Sequence, residues 1–429
     1  MNWQNRFRLA WRNLLRNRRR SLVTVLSLAC GFTAVALFAG YTSSVYMALS
    51  NAAIHGELIG HLTINRTDWE TQGKLHPDKY LLSADEIAKV RAIVDRRLPG
   101  SELVPKLGVS GLLSNGRTST IFIATGIAPR GLNILRGPFS QAPGALHDDK
   151  PNGVTLAAGL ADVLGVNVGD STSVLATTIH GQANAADADI GDAVDTGNVA
   201  TNDKLMLMPL VMAQNLADAQ GRAESLTLLL PSDAGTLGGP VNIAALAAPD
   251  EDRTMALRAQ LLADFAEAGL KLDVRTWQQM STFYKQVKGM YDMIFQLMLI
   301  VVLAIVALSI ANAMSMAVIE RTREIGTLRA IGLRRSGIIS LFVSEALVLV
   351  VVGIASSLAL TALIRYGVNA ADIRFVPPGN TNSVPVYIGF DMLRTAGAGV
   401  LLTVLAVIAA LLPARRAAYQ PVIEALGHV

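Results

Sequence analysis

The stretch Tyr291–Gly332, YDMIFQLMLIVVLAIVALSIANAMSMAVIERTREIGTLRAIG, indicates how the chain folds. Its first part is an apolar run long enough to cross a membrane, since a transmembrane helix needs about 20 mostly apolar residues. The run ends in the charged segment Glu320–Gly332, and a further apolar run follows within a few residues. A short charged connection between two such runs predicts two antiparallel membrane helices joined at one membrane surface.

The composition of the whole chain agrees with a membrane protein. Of its 429 residues, 51% are hydrophobic and 16% are charged, and the mean hydropathy is +0.40. These values are too apolar for an ordinary soluble protein. The single cysteine, Cys30, excludes a disulfide framework within the chain and identifies no compartment. Seven arginines precede residue 21 with no acid among them, and an apolar run follows at once, which favours membrane orientation over nucleic-acid binding.

Four apolar runs qualify as membrane helices. We therefore predict an α-helical membrane protein with four transmembrane helices and a large mixed α/β extracytoplasmic domain inserted between the first two spans. The predicted segments, in chain order, are a cytoplasmic amphipathic interfacial helix 1–20, span one 21–49, the extracytoplasmic domain 50–287, span two 288–319, a cytoplasmic helix 320–336, span three 337–364, an extracytoplasmic loop 365–391, span four 392–412 and a cytoplasmic tail 413–429.

The distribution of arginine predicts the orientation, because lysine and arginine are enriched in short cytoplasmic segments. Arginines are dense before residue 21, within residues 320–336 and after residue 412, whereas the connection between spans three and four has only Arg365 and Arg374. Both termini and residues 320–336 are therefore expected in the cytoplasm. A cleaved signal peptide is the alternative for the first run, but that run is longer than the usual apolar region of about 7–15 residues and no A-x-A site is evident.

The N-terminal segment WQNRFRLAWRNLLRNRRR is expected to contact membrane lipids. Trp3, Phe7 and Trp11 recur at helical spacing, and Arg8 and Arg12 lie on another face. Basic residues opposite aromatic ones suit the inner surface of a membrane.

Residues 50–287 carry alternating helix and strand signals. Ser83 followed by Glu86 has the spacing of a capping box, and a second amphipathic stretch ends at Gly269. A further helix is predicted over residues 154–165. Strands are predicted for HLTIN, STIFIATGI, STSVLAT and ESLTLLL.

The tract GQANAADADIGDAVDTGN, residues 181–198, is predicted to be a solvated loop because it is polar, small and turn-rich. Its clustered carboxylates raise the alternative of a calcium site, but they lack the spacing of an EF-hand. The carboxylates are Asp187, Asp189, Asp192 and Asp195.

No motif in the chain indicates nucleotide, metal or hydrolytic chemistry. There is no G-x-x-x-x-G-K-[ST] loop, no H-E-x-x-H, no cysteine cluster and no G-x-S-x-G elbow, and the six histidines are scattered. We predict that the chain is not an enzyme and holds no cofactor or metal, with no nucleic-acid partner. A membrane-anchored hydrolase is the alternative from another class, and it would require a triad assembled in space.

The charged segment has more pattern than a topology signal requires. Ile325, Leu328 and Ile331 recur every three residues, which predicts one apolar ridge on a short helix. Arginines alone would set the topology, so the ridge and the glutamates favour a docking surface. The segment also offers two i,i+3 pairs of opposite charge and two glycines that permit a turn or close approach: Glu320 with Arg323, Arg321 with Glu324, Gly326 and Gly332.

Residues 320–353, ERTREIGTLRAIGLRRSGIISLFVSEALVLVVVG, resemble the signature of the FtsX-like/MacB-like ABC transporter permeases. AAGLADVLGVNVGDSTSVLA and PARRAAYQPVIEAL are similar to an element of that family's external domain and to the segment that closes its fourth span. The resemblance implies a permease subunit that pairs with a second copy or a paralogue and with a dimer of a separate ABC ATPase, which carries the ATP and Mg. ATP-driven work would be relayed to the extracytoplasmic side by mechanotransmission.

The resemblance also implies that the helix after span two is a coupling helix seated in a groove of the ATPase. The predicted coupling residues are Glu320, Arg321, Arg323, Glu324, Ile325, Gly326, Leu328, Arg329, Ile331 and Gly332.

Two polar residues of the spans are further candidates. Glu345 lies about two turns into span three, where a carboxylate is costly. It is expected to face a vestibule or to pair with a loop arginine such as Arg329 or Arg334, and a proton relay is the alternative. Asn312, in span two, is expected either to bond another helix or to find an ordinary backbone or serine partner.

Two further segments resemble the LolC/LolE-type lipoprotein-release permeases of the inner membrane. They are GELIGHLTINR after span one and FVPPGNTNSVPVYIG between spans three and four. The predicted function is thus periplasmic work on a hydrophobic substrate such as a lipoprotein, with a lipoprotein carrier as partner. The alternatives are a MacB-like efflux permease with a periplasmic adaptor, although such permeases commonly carry the ATPase on the same chain, and an FtsX-like regulator of a periplasmic enzyme, whose external domain is typically much smaller.

Overall fold

The structure is a computed structural model that describes residues 18–137, 146–230, 251–377 and 379–422. The chain divides into two compact units. The helical unit comprises Met1–Val45, Lys288–Ile373 and Val386–Val429, and the α/β unit comprises Tyr46–Val287 and Arg374–Pro385. Most of the predicted interfacial helix, residues 1–17, lies outside the described residues, as does the predicted tail beyond residue 422.

The elements of the described residues follow in chain order. The helices are α1 Arg18–Asn51, α2 Pro77–Tyr80, α3 Ala84–Arg97, α4 Pro129–Arg136, α5 Ala158–Leu164, α6 Val199–Asn202, α7 Leu210–Ala217, α8 Glu251–Glu267, α9 Trp277–Met280, α10 Thr282–Glu320, α11 Thr322–Ala330, α12 Arg335–Ala370 and α13 Met392–Tyr419. The strands are β1 Leu62–Arg66, β2 Glu102–Ser114, β3 Ser119–Ile127, β4 Gly153–Ala157, β5 Ser171–Thr177, β6 Ala183–Val194, β7 Leu205–Pro209, β8 Ser225–Leu229, β9 Leu272–Thr276, β10 Arg374–Phe375 and β11 Val384–Pro385.

Among the described residues, four helices are long and apolar enough to cross a membrane, which confirms the predicted fold class: α1, α10, α12 and α13. Their inward sides form one apolar core that includes Phe32 of α1, Ile310 of α10, Phe342 of α12 and Leu402 of α13. Buried alanines along α13 let its backbone come close to α12, as small residues do in membrane bundles. The chain is a multi-pass membrane protein with four candidate spans.

The α/β unit is built on the long strand β2. Strands β3, β7, β4, β6, β5 and β2 are neighbours in that order, and β2 also pairs with β3, so the six strands close into a barrel. One edge of β2 pairs with β3 over residues 106–114. The other edge pairs with β8 over residues 102–106 and with β5 over residues 111–114. Strands β1 and β9 continue from β8, so a three-stranded extension leaves the barrel at β2.

Two apolar cores fill the α/β unit. Inside the barrel, side chains such as Leu113, Phe122 and Val174 are fully buried, as is usual for small barrels. Over the extension, α3 and α8 contribute Val90 and Phe265 to a second core. The alternating burial of β5 shows why the chain forms a strand there, because every second residue faces the barrel interior.

Several local predictions for this unit are confirmed. The four predicted strands correspond to β1, β3, β5 and β8. Ser83 caps α3 as a capping box: its hydroxyl accepts from the Glu86 amide, and a Glu86 carboxylate oxygen accepts from the Ser83 amide at 2.9 Å. Gly269 follows α8 with a φ of +70°, a conformation that favours glycine.

The prediction of a loop over residues 181–198 is wrong, because most of this tract is strand β6. It pairs antiparallel with β5 and parallel with β4. Alanine and aspartate have low strand propensity, but pairing on both edges overrides that preference. The register buries Ala188 and Ile190, while Asp187 and Asp189 stay exposed and accept hydrogen bonds from hydroxyls on β5.

The prediction of a helix over residues 154–165 is also wrong for the first residues of that range. Gly153–Ala157 is strand β4, and the helix begins only at Ala158. All five residues of β4 are buried between β6 and β7. A continuous apolar run has no periodicity that separates a buried strand from a helix.

We predict that Gly111→Ala destabilises the barrel. A Cβ at this position would overlap the carbonyl oxygen of Leu175 on β5, at the start of the pairing that closes the barrel. The expected loss in the free energy of unfolding is about 1–3 kcal/mol, as for other overpacked sites. The measurement is thermal unfolding of the full chain in detergent.

Gly191→Ala on β6 is the matched control. Its Cβ would lie 3.5 Å from the carbonyl oxygen of Val154, which is an ordinary contact. If both variants unfolded at the wild-type temperature, close approach of β2 and β5 at Gly111 would not be required for closure.

Candidate functional site

Helix α11 is a separate short helix between two spans. α10 ends at Glu320, and Arg321 leaves the helical conformation with φ −116° and ψ 17°. Hydrogen bonds bridge this break: the Thr322 hydroxyl donates to the Val318 carbonyl at 3.0 Å, and the Arg321 amide donates to the same carbonyl at 3.2 Å. After α11, Gly332 turns the chain with a φ of +97°.

The apolar residues of this segment do not form the single ridge that the sequence predicted. Ile325 is 6% exposed and packs in the core of the helical unit, whereas Leu328 is 40% and Ile331 is 79% exposed. The reason is geometric: three residues turn an α-helix by about 300°, so each step drifts by about 60° from the previous one. Ile331 also lies beyond the last residue of α11.

Leu328 and Ile331 therefore form an exposed apolar pair, and Ile325 attaches the helix from behind. Charged side chains of the same segment, including Arg323 and Arg334, are also exposed. Gly326 is buried beside Ile325. Such a surface can bind a protein groove by combining a small apolar contact with charged flanks.

A buried ion pair lies at the break before α11. An Arg321 guanidinium nitrogen lies 2.7 Å from a Glu345 carboxylate oxygen, and the two side chains are 10% and 3% exposed. Glu345 belongs to α12, the third span. It thus pairs with Arg321 and not with Arg329 or Arg334, the loop arginines that the sequence suggests as partners.

Two further charges of the segment also bind partners outside it. Glu320 pairs with Arg20 of α1 at 2.9 Å, and Arg329 donates to the Gln420 carbonyl after α13. The predicted i,i+3 pair of Glu320 and Arg323 does not lie on one helix, because the helix break at Arg321 separates the two residues. Between the two ion pairs lies a small cavity with room for about one water molecule. Its lining includes Arg20, Thr24, Arg321 and Glu345.

Asn312 is exposed on α10, so within the described residues its amide does not lie inside the bundle. It belongs to a stripe of exposed residues at helical spacing on the second span. The stripe also contains Val301, Ile305, Leu308, Met316 and Ile319.

The described residues contain no group of three or more His, Cys, Asp or Glu side chains that could hold a metal ion. The carboxylates that raised the alternative of a calcium site are spread along β6 and just after it. Asp195, just after this strand, accepts a hydrogen bond from the Thr381 hydroxyl at 2.6 Å.

A cluster around Lys106 of β2 is a site that the sequence analysis missed. The Lys106 ammonium donates to the Leu58 carbonyl at 2.7 Å, and Leu58 has an unusual φ of +58°. Burial lowers the pKa of Lys106 to about 8, although the nearby charge of Glu224 acts in the opposite direction. Glu224 accepts hydrogen bonds from the Trp69 indole and the Gly108 amide. The cluster holds the chain segment just after α1 against strand β2. No motif in the sequence predicts this cluster.

Comparison with known proteins finds a family match in the helical region. Residues 297–422 match the model of the FtsX-like permease C-terminal domain. The match begins within α10 and contains α11, α12 and α13.

Curated relatives add a distant similarity. The macrolide export ATP-binding/permease protein MacB of Salmonella paratyphi A is 31% identical over 160 residues, which cover 37% of this chain and 23% of that protein. MacB of Escherichia coli K12 is 30% identical over 161 residues, again 37% of this chain and 23% of the relative. The aligned part is the permease part of these proteins and not their ATPase. The chain therefore spans about a quarter of the length of these relatives.

We predict that Lys106→Met removes a pH dependence of stability. The pKa of Lys106 falls from 10.5 to about 8 on folding, so the unfolded chain binds more protons between these values. The free energy of unfolding of the wild type should therefore rise, relative to the variant, between pH 8 and 10.5. Thermal unfolding of the full chain at pH 7 and pH 10 measures the difference.

Lys89→Met is the matched control, because Lys89 is exposed on α3. It should keep the pH dependence of the wild type. If the free energies of unfolding of the wild type and Lys106→Met differed by the same amount across this pH range, the lowered pKa of Lys106 would be contradicted.

Proposed function

We propose that the chain is the permease subunit of an ABC transporter of the FtsX/MacB type. The observation that carries the proposal is α11, a short helix between two candidate spans, inside the region that matches the FtsX-like permease domain. It presents two exposed apolar side chains, Leu328 and Ile331, while Ile325 packs in the core of the bundle.

In this proposal α11 is the coupling helix and the partner is a dimer of a separate ABC ATPase. The exposed pair Leu328 and Ile331 enters an apolar groove of the ATPase, and the flanking charges meet its rim. ATP and Mg are bound by the ATPase, since the sequence has no phosphate-binding loop. The printed name of the MacB relatives combines an ATP-binding part with a permease part, and this chain aligns with the latter.

The orientation belongs to the same proposal. The dense arginines before residue 21 and in residues 320–336 support a position of both segments, with α11, on the cytoplasmic side of the inner membrane. The C-terminus is proposed to lie on the same side. The α/β unit then lies in the periplasm. ATP-driven movement enters at α11 and is transmitted to the α/β unit by mechanotransmission.

A second permease copy or a paralogue completes the proposed transporter. The exposed stripe of α10 supports this, because Asn312 places an amide among apolar side chains in the second span. An amide facing lipid is unfavourable, and hydrogen bonding to a neighbouring permease relieves that cost. Arg18–Arg20, at the start of α1, supply charge for anionic lipid headgroups.

The proposed substrate class is hydrophobic, with a lipoprotein as the leading case. The support is the resemblance of residues 56–66 and 375–389 to lipoprotein-release permeases, and a lipoprotein carrier would be the periplasmic partner. The similarity to MacB favours a second candidate, an efflux permease that works with a periplasmic adaptor. A regulator that activates a periplasmic enzyme is the third.

We predict that Leu328→Asp abolishes stimulation of the partner ATPase while membrane insertion remains intact. A carboxylate at this exposed position would be buried without a partner in an apolar groove, which is strongly unfavourable. ATP hydrolysis by the reconstituted complex and co-purification of the ATPase are the measurements. Ile325→Asp should also abolish stimulation, but because Ile325 is buried the cause would include loss of folding.

Val163→Asp is the matched control, since Val163 is a 56% exposed apolar residue of a helix in the α/β unit. It should leave stimulation unchanged. Full coupled activity in Leu328→Asp would show that α11 is not the coupling helix, and an α11 on the other side of the membrane would give the same result.

We predict that the transporter retains a lipoprotein when the permease is purified from native membranes with its ATPase. The measurement is mass spectrometry of co-purified lipids and proteins, with an ATPase variant that cannot hydrolyse ATP to hold the bound state. Recovery of a periplasmic adaptor in place of a lipoprotein would favour efflux, and recovery of a cell-wall hydrolase would favour regulation.

A further inference from the structure

The junction between α10 and α11 poses a mechanical problem. A helix transmits movement when its backbone hydrogen bonds are continuous, but Arg321 interrupts the helical conformation between Glu320 and Thr322. The few hydrogen bonds across the break leave the angle of α11 to be set by side chains. Ile325 provides an apolar contact, which is not directional.

Arg329 binds the Gln420 carbonyl near the C-terminal end of α11, and the Arg321 side chain provides the directional contact at the break. It reaches Glu345 on α12 at 2.7 Å, and both side chains are nearly inaccessible to solvent. The hydrogen bond between a planar guanidinium and a carboxylate restricts both distance and angle. Separating the two charges is unfavourable, because a buried charge then loses an ion-pair partner that compensates its desolvation.

The neighbouring residue binds in another direction. Glu320, the last residue of α10, pairs with Arg20 of α1 at 2.9 Å. Two consecutive residues at the break thus connect three spans: α1 through Arg20, α10 through its own end, and α12 through Glu345.

We propose that the Arg321–Glu345 ion pair is the joint that sets the angle of α11, and that these two residues are positioning residues for coupling. Stability alone is a weak reason for such a pair, because apolar residues of similar volume usually serve a folded core equally well. A defined angle is what the pair adds. The role in coupling rests on the proposed function, whereas the joint rests on the geometry of the break.

The decisive variant is Arg321→Met/Glu345→Met. It removes both charges together, so that folding is preserved while the directional contact is lost. In a Cys30→Ala background, a nitroxide label on Thr327→Cys reports the mobility of α11, because Thr327 is exposed on that helix. In the full chain in lipid nanodiscs, the rotational correlation time of the label should fall by about two-fold or more in the double variant.

The second measurement is stimulation of the partner ABC ATPase of the proposed transporter, assayed with MgATP. The double variant should still bind the ATPase but lose about ten-fold or more of the stimulation, since small misplacements of a coupling element are costly. If the double variant fails to fold, Arg321→Lys decides by the same two measurements, because it keeps the charge without the planar fork.

The control is Arg97→Met/Asp264→Met, which removes an exposed Arg–Asp pair between α3 and α8 of the α/β unit. It should change neither label mobility nor stimulation. Unchanged label mobility in the double variant would contradict the proposal that the ion pair sets the angle of α11. A mobile α11 with unchanged ATPase stimulation would contradict the role of the two residues in coupling. A wild-type chain that never stimulates the ATPase overturns the proposed function, and the spectra still decide whether the joint exists.

Discussion

The ion pair between Arg321 and Glu345 is the contact on which the arrangement of the α11 end depends. It places two opposite charges in a bundle whose interior is otherwise mostly apolar, next to the residue where the second span stops being a helix. A charge in that position is tolerated only with its partner in place. The chain can therefore leave the second span, form α11 and enter the third span only in an arrangement that brings the two charges together.

This constraint explains why one side of α11 is buried and another side is exposed. The break turns the helix so that Ile325 packs inward, and the natural drift of an α-helix then carries Leu328 and Ile331 away from the core. A helix with one unbroken ridge would have buried all three side chains or exposed all three. The observed helix is attached on one side and leaves apolar residues available on another, which is the form that a docking element requires.

The α/β unit depends in the same way on one element, strand β2. Its two edges pair with β3 and β5 to close the barrel and with β8 to begin the extension. The same strand contributes Lys106, which holds the segment after α1 through the Leu58 carbonyl. Strands β2, β7 and β9 were not recognised from sequence. β2 contains Pro105, Gly108 and Gly111, which are poor strand residues, and tolerates them because its neighbours supply the pairing.

The amino-acid sequence by itself determined the properties that depend on local composition and periodicity. The four spans follow from apolar length, the α3 cap from the spacing of Ser83 and Glu86, and the strands β1, β3, β5 and β8 from β-branched residues bounded by turns. The resemblance of residues 320–353 pointed to the same family as the matched region 297–422.

Only the tertiary structure decided the properties that depend on residues far apart in the chain. The partner of Glu345 could not be read from the segment, because any nearby arginine meets the same electrostatic need and the helix break selects Arg321. The alanine- and aspartate-rich tract became β6 because two neighbouring strands pair with it. In each case the local signal was weak or ambiguous, and the free energy of long-range pairing was larger than the local preference.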